Sequence, residues 1–225
     1  MHIEPGIVDG AKIVLSYATA SGAALFTLKS ARDEFRRRGP SSLLARSAIA
    51  TVLVFSFFEI LPHYPVGVSE VHLILGSTLF LLFGAAPAAL GLAAGLLIQG
   101  MFFAPFDLPQ YGMNVTTLLV PLFALQVISS NIIAPNTPYV DLKYRQALAL
   151  STAYQGGIVS WVAFWALYGH GFTFGNMLSI GGFGFAYMAV VLVEPLVDIT
   201  VLAAAKSARD MSRTGLFAAR LMSAP

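Results

Sequence analysis

Apolar runs about as long as a bilayer is thick recur along this 225-residue chain, and they decide what it can fold into. A helix needs roughly 20 apolar residues to cross the hydrocarbon of a membrane. With Gly, Pro and charged clusters as boundaries, such runs fall at residues 12–28, 43–61, 71–83, 87–103, 115–133, 147–168 and 177–205. The tight corner Gly84-Ala85-Ala86-Pro87 separates the third from the fourth. Hydrophobic residues make up 57% of the chain and charged residues 11%. A soluble globule carries about 25% charged residues, so this chain cannot cover its surface with polar groups. The pattern predicts an all-α membrane protein, a bundle of about seven transmembrane helices. Residues 1–225 form one integral membrane domain: an amino-terminal segment (1–11), the bundle (12–205) and a tail (206–225). No length remains for a sizeable soluble domain, and no Gly-x-x-x-x-Gly-Lys-Ser/Thr phosphate loop is present. The net charge of +2 is too small to imply nucleic acid, and the lack of cysteine removes disulfides and thiolate ligands.

Basic residues predict the orientation. Lys29, Arg32, Arg36, Arg37, Arg38 and Arg46 follow the first run; Lys143 and Arg145 lie between the fifth and sixth; Lys206, Arg209, Arg213 and Arg220 lie in the tail. Seven spans put all three groups on one side, and of the 13 Lys and Arg residues only Lys12 falls elsewhere. The amino terminus is therefore expected outside and the carboxyl terminus in the cytoplasm of a bacterial inner membrane. The leader MHIEPGIVDGAK is acidic and precedes no cleavage site, so the first run is expected to be a retained helix. His2 also argues that Met1 is not trimmed. On this map His2, His63, His72 and His170 all face outside, and Glu4, Asp9, Glu59, Glu70 and Asp107 lie at or near that face.

Met1-His2 carries a specific chemistry. A free α-amine, the His2 amide once deprotonated, and the His2 imidazole close a five-membered and then a six-membered chelate ring around one ion. Such a planar nitrogen set suits Cu(II) and Ni(II), with Co(II) adaptable, and does not suit Mg or Ca. Taken alone, a Met-His start is common by chance. The stretch Pro62-His63-Tyr64-Pro65-Val66-Gly67-Val68-Ser69-Glu70-Val71-His72-Leu73 adds two histidines and a carboxylate in an outside loop that enters a span. A histidine there can serve as a fourth ligand. Taken singly, each is more often an interfacial imidazole bonded to a carbonyl.

These residues carry a family resemblance. MHIEPG resembles the MHI-x-x-G opening of the CbiM/NikM proteins, the substrate-specific membrane subunits of energy-coupling factor transporters for cobalt and nickel. GVSEVHL, residues 67–73, resembles that family's GGTSGHL segment. LLIQGMFFAPFDLPQYGMN, residues 96–114, is similar to a family stretch that ends in Gly-x-Asn, and Val193-Glu194-Pro195 is more loosely like the Gly-Glu-Gly of its last span. The resemblance runs from Met1 to about residue 205 and is weakest across the fifth and sixth runs. It implies Met1, His2 and His72 as metal ligands in one plane. It also implies a supporting role for Asn114, in holding the amino-terminal loop or orienting an imidazole. Glu70 stands where the family has Gly, and His63 is extra to the family pattern. Either of them, with Ser69 beside them, is a candidate extra ligand or supporting group, and an axial donor would favour Co2+ over a planar Ni2+ site. The implied partners are a transmembrane T subunit and ATP-binding A subunits, with a small accessory membrane subunit a further candidate. The implied substrate is Co2+ or Ni2+, and no organic cofactor is expected.

Other polar residues are less distinctive. Gln99 is expected to hydrogen-bond between helices. Glu59 and Glu194 lie in apolar surroundings, where carboxylates are functional candidates by default. Asp198 follows Glu194 at i,i+4, and both are expected toward the cytoplasmic end, away from the metal. His170, between two glycines, is read as a loop residue. Ala20-x-x-x-Ala24 in the first run and Gly91-x-x-x-Gly95 in the fourth let helices approach closely. The resemblance implies that Ala20 and Ala24 dock a partner helix. Two other function classes stay open. An importer subunit for an organic vitamin would leave Met1-His2 and His72 unexplained. A membrane enzyme finds neither His-Glu-x-x-His nor a Ser/His pair at mid-membrane depth.

Overall fold

The computed structural model describes residues 2–213, with side chains through residue 209. Helix α1 (Ile13–Arg38) and α2 (Pro40–Glu59) are separated only by Gly39, at φ 80. Gly39 adopts a φ that side-chain-bearing residues avoid, and Pro40 then starts α2 with φ already set for a helix. The basic cluster expected in a loop is therefore the last three turns of α1. Arg36, Arg37 and Arg38 sit where the helix dipole favours cations.

A hairpin follows, β1 (Tyr64–Val66) and β2 (Ser69–Val71), antiparallel with Val66 opposite Ser69. Gly67 opens its two-residue turn at φ 64. A Cβ there would run into the Ser179 carbonyl. The remaining helices are α3 (Gly76–Phe83), α4 (Ala85–Phe102), α5 (Tyr111–Ile132), α6 (Tyr144–His170) and α7 (Phe174–Arg213). Short 3-10 turns cover Pro105–Gln110 and Tyr139–Asp141. The first part of the expected tail continues α7.

Among the described residues, seven α-helices form, and six helical segments are long and apolar enough to cross a membrane. The expected span at 71–83 is the correction. Its helix has eight residues and at 1.5 Å per residue reaches about 12 Å, against roughly 30 Å of hydrocarbon. The break has local causes. Leu75 takes a left-handed conformation at φ 52, and Gly76 packs so tightly on the Tyr154 ring that a Cβ has no space. Residues 72–75, neither strand nor helix, join the hairpin to α3. Arg46, near the start of α2, donates to the Phe83 carbonyl at 2.7 Å and pairs with Glu34 of α1.

Small residues close the packing. Gly91 lies on Ala50, and Gly95 on Val54, so Gly91-x-x-x-Gly95 is the seam that brings α4 onto α2. Phe58, Tyr154, Trp165, Phe183 and Tyr187 fill the buried interior. The hairpin, the ends of α2, α4 and α6 and the starts of α1, α5 and α7 share one end of the bundle.

Candidate metal centre

The amino-terminal segment lies at that end beside β2 of the hairpin. Ile3 bridges Ser69. Glu70 donates its amide to the His2 carbonyl at 2.9 Å, the Ser69 hydroxyl donates to the same carbonyl at 2.8 Å, and Glu4 donates to the Val68 carbonyl at 3.2 Å. The Ile3 amide donates to Asn114 Oδ1 at 2.8 Å. Ile3 and Val8 are buried with Met113 of α5 and Trp165 of α6. Burying these two apolar side chains stabilises the segment by a few kcal/mol, at roughly 1.5–3 kcal/mol each. Further along, Lys12 donates to the Tyr168 and Gly169 carbonyls at 3.1 and 2.6 Å, a cation at the end of α6. A ring nitrogen of His170 bonds the Gly6 carbonyl at 3.1 Å.

This packing converges three side chains. His2 Nδ1 lies 2.6 Å from Glu70 Oε2, and His72 Nε2 lies 2.8 Å from the same oxygen. One ligand atom from each of His2, Glu70 and His72 falls within 4.8 Å of the others. Both imidazoles are nearly inaccessible, His2 at 3% and His72 at 1% exposure. Phe58 forms an apolar wall, with ring centroids 6.0 Å from His2 and 5.2 Å from His72. His63 stacks on His72 at 4.8 Å, the rings tilted by 6°, and its Nδ1 stands 4.0 Å from Glu70 Oε2. Its side chain is the more exposed of the three imidazoles. Met1 lies outside the described residues.

The electrostatics follow from burial. Desolvation lowers the pKa of His2 and of His72 below the ordinary 6.5, and the Glu70 carboxylate offsets this only in part. For Glu70, burial alone would raise the carboxyl. The hydrogen bonds from His2 and His72 outweigh it and hold it well below the usual carboxylate range. Burial thus favours the neutral form of both imidazoles, and one Glu70 oxygen faces a ring nitrogen of each. Among the described residues, His2 Nε2 and His72 Nδ1 are buried and have no hydrogen-bond partner. A neutral imidazole, a carboxylate and an apolar wall form a set of borderline donors suited to a first-row transition ion.

Two residues not assigned to the site by sequence stand against it. Asp107, buried in the 3-10 turn before α5, places Oδ2 3.8 Å from His2 Nε2. A carboxylate beyond a ligating histidine orients the ring and raises its basicity. Glu194 of α7, expected far from the metal, instead accepts hydrogen bonds from the Ile74 and Leu75 amides, two and three residues past His72. Neither carries a local signal beyond being a carboxylate in an apolar stretch. Gln99 is buried beside His2. Glu59 is half-buried at the end of α2. Ala20 is half-buried and Ala24 exposed, both lining an apolar groove of about 460 Å³ between α1, α4 and α5.

The family model CbiM, described as the cobalt uptake substrate-specific transmembrane region, matches residues 2–211. A crystal structure of a truncated transition metal transporter superposes with a TM-score of 0.69 at 19% identity, covering 90% of this chain and 97% of that chain. A crystal structure of a transition metal transporter gives 0.65 at 18% identity, covering 96% and 98%. These likenesses concern the fold. No curated protein matches the chain. By the match over nearly its whole length, the chain belongs to the CbiM family and is a multi-span membrane subunit of transition-metal uptake, a transporter component and not an enzyme.

Proposed function

We propose that this subunit captures a single Co2+ or Ni2+ at the hairpin end of the bundle. The ligands are the Met1 amine, the deprotonated His2 amide, His2 Nδ1 and His72 Nε2, with Glu70 as a further oxygen donor. The observation that carries this reading is the convergence of His2 Nδ1 and His72 Nε2 on one Glu70 oxygen. Nδ1 is the imidazole nitrogen that a six-membered ring through the His2 amide requires. The amide anion and the Glu70 carboxylate together balance the charge of a divalent ion in a pocket where unpaired charge is costly. Glu70 and His63 add donors outside the nitrogen plane, which favours Co2+ over planar Ni2+. Asn114 holds the Ile3 amide and Ser69 the His2 carbonyl, and Asp107 orients the His2 ring.

The capture end faces outside and the carboxyl terminus faces the cytoplasm, on the strength of the basic residues collected at the opposite end. The chain is one domain of a bacterial inner membrane. It docks a transmembrane T subunit through the α1 face that carries Ala20 and Ala24, and ATP-binding A subunits supply energy; a small accessory membrane subunit completes the set. Calorimetric titration of the purified protein with Co2+, Ni2+ and organic vitamins tests this reading. One divalent ion per chain is expected, abolished when the amine is acetylated or one residue precedes Met1. Undiminished binding in those forms, or binding of a vitamin instead, rejects it.

A further inference from the structure

Between β2 and α3 the backbone is neither strand nor helix, and Ile74 is buried there. Leu75 holds a left-handed conformation, so the Ile74 and Leu75 N–H groups cannot join a helical ladder. A buried amide without a partner is costly. Both donate to one oxygen of Glu194, that of Leu75 at 3.0 Å. The other oxygen accepts from Gln155 of α6, whose carbonyl accepts from the Tyr187 hydroxyl at 2.8 Å. Glu194, Gln155 and Tyr187 are fully buried. One helical turn further along α7, Asp198 accepts from Ser77 at 2.5 Å and from Thr78, in the first turn of α3. One helix therefore carries both anchors of the break. The nearer anchor grips the chain two residues from His72, across 120 residues of sequence.

We infer that Glu194 is a positioning residue for the metal centre: by gripping the Ile74 and Leu75 amides it sets where His72 Nε2 meets the ion. This rests on His72 being a ligand, as proposed above. Metal–ligand distances tolerate only about 0.2 Å, and only one residue separates Ile74 from His72. Glu194 serves here because one oxygen accepts both amides while the other accepts from Gln155. The two short-range neighbours of His72, Glu70 and His63, contact its ring and not its backbone. The His72 backbone is therefore held from two sides, by the hairpin where Val71 pairs with Tyr64, and by α7 through Glu194.

The test uses full-length protein in detergent, titrated with Cu2+ and Co2+, with the visible absorption band of the Cu2+ complex as the readout of nitrogen count. Glu194→Ala should weaken binding about 10- to 100-fold, as removal of groups behind a ligand does. It should also shift the Cu2+ band to longer wavelength, as His72→Ala does, while helical content stays that of the wild type. Glu194→Gln keeps an acceptor oxygen for both amides and can pair with a turned Gln155, so it should restore affinity and band. Glu194→Asp keeps the charge but is one methylene short, and should show the shifted band even if the alanine variant does not fold. Wild-type affinity and band in Glu194→Asp, or a glutamine variant that fails as alanine does, overturns the proposal. If His72→Ala itself binds Cu2+ and Co2+ as the wild type does, the ligand reading falls and this proposal with it.

Discussion

The Ile3 amide donates to Asn114 Oδ1 at 2.8 Å, joining the amino-terminal segment to α5 across 111 residues of sequence. Both groups are buried, so losing the acceptor leaves an unpaired N–H at a cost of about 1–3 kcal/mol. Asn114→Ala should release the segment and weaken Co2+ binding accordingly, while Asn114→Asp, which keeps an acceptor oxygen, should lose much less. Calorimetry on both variants decides; equal losses would mean that the side-chain acceptor is not what holds Ile3.

Glu70 bridges two imidazole N–H groups, so its removal affects both ligands at once. Glu70→Ala combined with His63→Ala should lower Co2+ affinity more than Ni2+ affinity, since a planar nitrogen set remains for Ni2+. Competition titrations measure the ratio. An unchanged affinity and an unchanged Co2+/Ni2+ ratio would remove both residues from the site.

Proton competition gives a pH signature. His2 and His72 are lowered below 6.5 by burial, so near pH 7 both are already neutral and release no proton on binding. The α-amine ordinarily titrates near 7.7–8.0 and binds metal only when deprotonated, as does the amide. Affinity should therefore fall as pH drops, by about two decades per pH unit below roughly 7.5 and about one above roughly 8.5. A single break near 6.5 would instead mark the imidazoles as the competing bases.

Gly169 meets the Ile7 carbonyl so closely that no Cβ fits. Its backbone is helical, so Gly169→Ala is not penalised by φ and acts only through this contact. The variant should keep its helical content, displace the amino-terminal segment and weaken Co2+ binding. Thermal melts should show a loss of about 1–3 kcal/mol, the usual range for overpacking. Wild-type affinity would show that residues 6–9 do not help to hold His2 in place.

Much of the fold could be read from the chain. Apolar runs at 43–61, 87–103, 115–133 and 147–168 correspond to α2, α4, α5 and α6, because span length is a local property of composition. The break at 72–75 could not, since the same apolar residues suit a helix, and the acceptor for its free amides, Glu194, comes from across the bundle. The hairpin was missed for a related reason: Tyr64–Val66 and Ser69–Val71 are three-residue strands, too short to show alternation, and Ile3 extends them from the other end of the sequence.

His2, His72, Glu70 and Asn114 stood out by residue type and by their likeness to a family pattern. What they do together depends on distances that no spacing encodes. Membrane character follows from the sequence by itself, because hydration of side chains sums along the chain regardless of partners. The meeting of His2, Glu70 and His72, with Asp107 beside them and Glu194 behind, belongs to the tertiary structure. Hydrogen bonds and ligand bonds act over a few ångströms, and only packing brings residues 2, 70, 72, 107 and 194 within that range.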